Sequence, residues 1–403
     1  MREQTRQRVH SAGRQRGGRR RVGTAVAAAA VGALTLTALA PSAATAATGP
    51  DPVQQGLNKL VRDDGVPAAL ASVMDRTGHT RTYTAGVADL ATGAKVPRDG
   101  QVRVGSNTKA FTAVVVLQLV AEGKLRLDDP VEKHLPGLLR GDGIDGHAIK
   151  VRHLLQQTSG LPNYTEYDIP LKHYEPKDLV AIALQHKAKF APGDDWQYSN
   201  TNYVVAGLII EKVTHHSYAE ELDRRVIKRI GLRHTYFPTP REETIREAHP
   251  KGYLQEKPGG PLRDVTEMDP SWTWAAGQLV STNSDLDRFY SKLLTGHLLK
   301  KPQLDQMRTT VKGADQTFGP GARYGLGLVS KPLPCRPGEV YWGHGGSFPG
   351  YETRGGATAD GRAALEAALQ PAESENFYFV AAGDGGAPWT QPLGQSLDAL
   401  GTM

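Results

Sequence analysis

Cysteine is almost absent from this sequence: Cys335 stands alone among 403 residues, so no disulfide can form within the chain. A chain of this length can bury a sizeable core without one. Two common hydrolase fingerprints are also missing. There is no Gly-x-Ser-x-Gly, which argues against an α/β-hydrolase nucleophile elbow. There is no His-Glu-x-x-His, and His215-His216 are adjacent rather than a helical turn apart, so no zinc site is expected and no cofactor is called for. Internal repeats and low-complexity tracts are lacking after residue 46.

A surplus of positive charge is also lacking once the first residues are set aside. The chain has 48 Lys+Arg and 42 Asp+Glu; eight Arg and one Glu fall within residues 1–46, which leaves 40 against 41. A nucleic-acid partner is therefore not expected. Residues 1–46 read as an export signal. Arg2, Arg6, Arg8, Arg14, Arg16, Arg19, Arg20 and Arg21 form a basic start, an Ala/Val/Leu-rich stretch covers 22–40, and Ala44-Thr45-Ala46 offers a small-x-small cleavage site. The expectation is a secreted protein, exported by a general or twin-arginine route, with no stable membrane association after signal removal.

Periodicity predicts a helix over 53–62, then strands over 68–74 and 80–85 around the turn Arg76-Thr77-Gly78. From about 125 to 270 the pattern is helices and loops, with helices over 151–157, 176–186, 202–214 and 218–230. The Gly- and Pro-rich 250s and 260s read as a surface connection. A helix follows over 284–295, strands over 323–330, 340–342 and 351–358, and a closing helix over 390–400. Strands at both ends with helices between predict one sheet built from the two ends and a helical lobe inserted between its strands.

Within this frame Ser106-Asn107-Thr108-Lys109 opens a long apolar helical run over 110–120 that ends near Gly123. Positions i and i+3 share a helix face, so the Lys109 amine reaches Ser106 Oγ without help from distant chain. A serine at a helix start also lies near unpaired N–H groups and the positive end of the dipole. An amine to take a proton and amides to receive an oxyanion are what a nucleophilic serine requires. Alone, the motif reads first as a capped helix start with a solvated lysine. Two further stretches join it: Tyr198-Ser199-Asn200 before a helix, and Gly343-His344-Gly345-Gly346-Ser347 at a strand end.

Together these stretches resemble the serine β-lactamase and D-alanyl-D-alanine-peptidase family, on the branch of class C β-lactamases and secreted DD-carboxypeptidases. The matching segments are RVGSNTKAFTAVVVLQLVAEGKLRLDDPVEKHLPG, LLQQTSGLPNY, APGDDWQYSNTNYVVAGLIIEKVT, RYGLGL and GHGGSFPGY, in the family's order over roughly 53–355. The resemblance implies an α/β (α+β) fold of the β-lactamase/transpeptidase type, an antiparallel sheet flanked by helices with an inserted helical lobe. One domain over 47–403 is expected, with the sheet lobe at about 51–105 and 275–403 and the helical lobe at about 106–274.

The resemblance also implies roles. Ser106 is the acylated nucleophile, Lys109 accepts or shares its proton, and Tyr198 stands near the serine hydroxyl; which of Lys109 and Tyr198 is the base stays open. Asn200 donates to the acyl side-chain carbonyl, and His344 fills the place of the Lys or His that opens the third motif. The backbone N–H groups of Ser106 and Ser347 form the oxyanion hole, and Gly345, Gly346 and Trp272 contact the substrate. That substrate is a small peptide, amide, ester or β-lactam, of the D-Ala-D-Ala type or a related D-amino-acid amide or ester. A non-turnover penicillin-binding or sensor module is the reading from another class. The chain departs from the pattern in two places. His344-Gly345-Gly346 lacks the threonine of Lys-Thr-Gly or His-Thr-Gly, and Lys331 stands where relatives place an arginine after the YGLGL-type strand.

Overall fold

The computed structural model describes residues 51–369, apart from 76, 256, 258, 259, 334–337, 362 and 363. The export signal expected over 1–46, Cys335 and the helix expected over 390–400 lie outside the described residues.

Helix α1 (Pro52–Asp63) starts on Asp51, whose side chain accepts from Val53 N at 3.0 Å, and buries Val53, Leu57 and Leu60. Strands β1 (Ala68–Met74) and β2 (Thr80–Asp89) follow as a hairpin, and a short β3 (Ala94–Lys95) completes this edge. The rest of the sheet comes from the far end: β4 (Arg323–Tyr324), β5 (Val329–Pro332), β6 (Val340–Phe348), β7 (Tyr351–Thr358) and β8 (Ala364–Leu369). The spatial order is β4-β5-β6-β7-β8-β1-β2-β3, antiparallel throughout, with β8 paired to β1. The two ends of the described chain thus share one eight-stranded sheet.

Helix α2 (Thr108–Ala121) is buried along nearly its whole length, including Phe111, Val114, Val115, Leu117 and Leu119. A helix apolar on all sides belongs between layers, and α2 packs on one side against α3 (Asn200–Thr214). On another side Phe111 stacks on Phe289 of α4 (Asn283–Leu294), ring centroids 3.6 Å apart, and α4 itself lies on the sheet.

Several expectations change here. The 250s and 260s carry a small hairpin, Tyr253–Gln255 against Leu262–Asp264. The strand expected over 323–330 is two short strands with a turn between them, where Gly327 takes φ +69° and lies beside the backbone of Lys109. The helix expected over 218–230 runs through with a widened central turn, Asp223–Ile227. The His-Gly-Gly motif is inside β6 rather than at a strand end, since β6 continues to Phe348. Among the described residues no helix is long and apolar enough to cross a membrane.

Candidate active site

Gly105 takes φ +48° and turns the chain from the short strand Val102–Arg103 into one 3₁₀ turn, Gly105–Asn107, which runs on into α2. Thr108 Oγ1 donates to Gly105 O at 2.7 Å and accepts from Leu279 N at 3.2 Å. Asn107 Nδ2 donates to Thr353 Oγ1 of β7 at 2.8 Å, and Asn107 Oδ1 accepts from Tyr290 of α4 at 2.5 Å. Ser106 is therefore fixed between the sheet and the helical layer.

Lys109 Nζ donates to Ser106 Oγ at 2.8 Å, to Asn200 Oδ1 at 2.7 Å and to Ala276 O at 2.8 Å. Tyr198, two residues ahead of α3, donates its hydroxyl to the same Oγ at 2.6 Å. Lys109 is fully buried, and that burial pushes its amine well below the usual lysine range. Deprotonated, the amine would donate to Asn200 Oδ1 and Ala276 O and turn its lone pair toward the Ser106 proton. Sequence reasoning missed the Ala276 carbonyl. Its position comes from a close approach at Gly207 of α3, where a Cβ would stand 2.6 Å from Trp274 and 2.7 Å from Ala275.

Strand β6 forms the opposite wall. A Cβ on Gly346 would stand 1.9 Å from Val104 O, and one on Gly105 would stand 2.8 Å from Ser347 N. The absence of side chains at these points is what brings the Ser347 backbone against the Ser106 turn. Ser106, Asn163, Tyr198, Asn200, Thr317, Phe318, His344, Gly345, Gly346, Ser347 and Arg354 line one cleft. Among the described residues no group of three or more His, Cys, Asp or Glu stands together as a metal site.

Trp272 and Lys331 stand apart from the cleft, whereas His344 lines it. Its Nε2 accepts from the buried Tyr324 hydroxyl at 3.0 Å and its Nδ1 donates to Gly345 O at 2.5 Å. Burial first, then the neighbouring Lys109, lowers its pKa to about 3, so it is a neutral wall of the cleft. Trp272 does not line the cleft; it is buried against Phe348, ring centroids 5.4 Å apart, and acts as a core residue beneath β6. Lys331 does not supply the cleft's cation either: its amine lies over Gly319, 3.7 Å from where a Cβ would be.

That cation is Arg354 on β7, which sequence reasoning missed. Arg354 pairs across the strands with Gly345, and a Cβ on Gly345 would stand 2.8 Å from its Nη1. The guanidinium thus occupies the space that a threonine side chain would need. The signal was present in the sequence, as the missing threonine and the Arg in Tyr351-Glu352-Thr353-Arg354, but only strand register connects them. Arg354 pairs with the buried carboxyl of Glu352, which also accepts from Ser347 Oγ. Asn200, expected as a substrate donor, already has one amide hydrogen on Thr165 Oγ1 at 3.1 Å and its oxygen on Lys109.

A family model described as Beta-lactamase matches residues 53–369. A D-stereospecific amidohydrolase from Streptomyces sp. superposes with a TM-score of 0.73 at 40% identity, over 80% of this chain and 94% of that one. D-amino acid amidase from Ochrobactrum anthropi SV3, complexed with L-phenylalanine, superposes with a TM-score of 0.73 at 28% identity, over 86% of this chain and 96% of that one. Putative penicillin-binding protein PbpX of Bacillus subtilis (strain 168) is 30% identical over 54% of this chain and 52% of its own length. Protein flp of Staphylococcus aureus (strain N315) is 29% identical over 59% of this chain and 48% of its own length. The chain spans about half the length of these curated relatives.

Proposed function

We propose that this chain, which belongs to the beta-lactamase family, hydrolyses amides or esters of D-amino acid residues through an acyl-Ser106 intermediate. The observation that carries this reading is the buried Lys109 amine, held well below the usual lysine range and bonded to Ser106 Oγ beside the Tyr198 hydroxyl. Lys109 takes the Oγ proton as Oγ attacks the substrate carbonyl. The backbone N–H groups of Ser106 and Ser347 receive the developing oxyanion; losing one such donor costs about 2.7–4 kcal/mol in other hydrolases. Tyr198 gives its proton to the departing amine or alcohol and is reprotonated from Lys109. Water then attacks the acyl-enzyme with Lys109 again as base, and that proton passes to Ser106 Oγ as its bond to the acyl carbon breaks. The solved structures at 40% and 28% identity support a D-amino acid substrate, and PbpX supports kinship to penicillin-binding proteins.

Within that class we favour D-amino acid amides, esters and short D-peptides over β-lactams, because His344-Gly345-Gly346 lacks the threonine and Arg354 fills its space. The basic start, the Ala/Val/Leu-rich stretch and Ala44-Thr45-Ala46 within residues 1–46 support export of the enzyme from the cell.

A panel of a D-Ala-D-Ala peptide, a D-amino acid amide, an aryl ester and a chromogenic cephalosporin tests the reading. Hydrolysis of the D-amide or D-peptide, abolished in Ser106→Ala, is the expected result. Stable labelling of Ser106 by a β-lactam or fluorophosphonate without turnover of any substrate would make the chain a binding module instead.

A further inference from the structure

We propose that Asn163 is a substrate-binding residue whose side-chain Nδ2 donates a hydrogen bond to a carbonyl on the acyl side of the substrate. The inference rests on the acyl-Ser106 reading and adds a residue and a substrate feature to it.

The segment around Asn163 is bolted to the start of α3. Pro162 O accepts from Ser199 Oγ at 3.2 Å and from Thr201 Oγ1 at 2.6 Å, and Tyr164 N donates to Thr201 Oγ1 at 3.2 Å. Asn163 O accepts from Glu166 N at 3.0 Å. The side chain is fixed by a further bond: Asn163 Oδ1 accepts from the backbone N–H of Asn200 at 3.0 Å, one of the N–H groups a helix start leaves without an intrahelical partner. That bond also settles which end of the planar amide is which, because only the oxygen can accept. The NH₂ end must point away from α3. Asn163 is 9% exposed and lines the cleft, and its Nδ2 bonds no other protein group among the described residues. It is a pre-positioned donor in the site, held at no further conformational cost when substrate arrives.

The position along the cleft follows from the proton donor. Tyr198 serves the leaving group, and it packs toward Phe318 and His344, with ring centroids 6.0 and 6.4 Å away. We take the leaving group to depart on that side and the acyl portion to extend past Asn200 toward Asn163, which the Asn200 N–H contacts. Asn200 has its oxygen and one hydrogen committed inside the protein, whereas both Asn163 hydrogens remain available. The match is a hydrogen-bond acceptor on the acyl portion, such as the carbonyl of an N-acyl group or of a preceding D-residue.

The test compares N-acetyl-D-alanine p-nitrophenyl ester with p-nitrophenyl acetate, which has no acylamino carbonyl. Asn163→Asp keeps the acceptor for Asn200 N–H and loses the donor; Asn163→Ala loses both. In both variants the ratio of kcat/KM for the N-acetyl-D-alanyl ester over the acetate should fall about tenfold, the effect of one hydrogen bond in a partly buried site. An unchanged ratio in Asn163→Asp would overturn the proposal, and so would a fall confined to Asn163→Ala, which would assign Asn163 to anchoring α3. Wild-type protein that cleaves neither ester and fails to label at Ser106 would instead overturn the acyl-enzyme reading itself.

Discussion

At the scale of single residues the site runs on burial. A lysine amine removed from water without a carboxylate partner gives up its proton more readily, and here three acceptors rather than a counter-charge surround it. The acid limb of kcat/KM should therefore report Lys109 and lie below the usual lysine range, since activity requires the neutral amine and rises as pH passes its lowered pKa. His344, lowered to about 3, is already neutral across that range. His344→Gln should thus change the magnitude of kcat/KM while leaving the shape of its profile between about pH 5 and 9 intact. Loss of a limb in that variant would give His344 a proton-transfer role. The meeting of Ser106, Lys109 and Tyr198 was legible from spacing and motif order. The neutrality of His344 was not, because it depends on Tyr324 and Gly345, which the sequence does not mark as its partners.

Elements matter where backbones approach closely. Gly207 lets α3 press against Trp274 and Ala275, and the carbonyl of the next residue, Ala276, then meets Lys109. A methyl at Gly207 must push that segment away and lengthen the bond to Ala276 O. We expect Gly207→Ala to lower kcat by about tenfold or more while the fold persists, as displaced catalytic groups cost far more than their contact energy. Steady-state kinetics beside circular dichroism checks this; wild-type kcat with native spectra would contradict it. A glycine inside a helix looks like a weakness in the pattern, and only the packing shows its purpose. In the same way, the glycines of β6 read as a strand end until the register set them opposite β7, within reach of Val104 O.

At the scale of the whole molecule the layers are tied by buried polar groups as well as by the core. Arg225 lies between Glu221, which is 1% exposed, and Glu122 of the loop after α2, 2.5 Å away. That pairing holds the Glu122 carboxyl at about 2. Arg225→Ala would leave the buried Glu221 with only the exposed Arg224 as partner, 2.7 Å away, at a cost of about 3 kcal/mol or less, read by urea unfolding; an apolar pair at 221 and 225 should recover most of it. Asp287 of α4 is buried against Ser72 of β1, and burial raises its carboxyl well above the ordinary range. Its folded-state pKa exceeds its unfolded value, so the contribution is full below about pH 4 and is lost as pH rises through the folded pKa. Asp287→Asn should flatten that part of the stability profile, measured as denaturation midpoints at pH 5 and 8. The sequence by itself determined the layered plan and the pairing of Ser106 with Lys109, because helix period, strand alternation and the Ser106–Lys109 spacing act over short stretches of chain. The tertiary structure alone decided which cation enters the cleft, which asparagine offers its amide and which charges lose their protons. Those outcomes depend on strand register and on exclusion of water, and both arise only when residues far apart in sequence pack together.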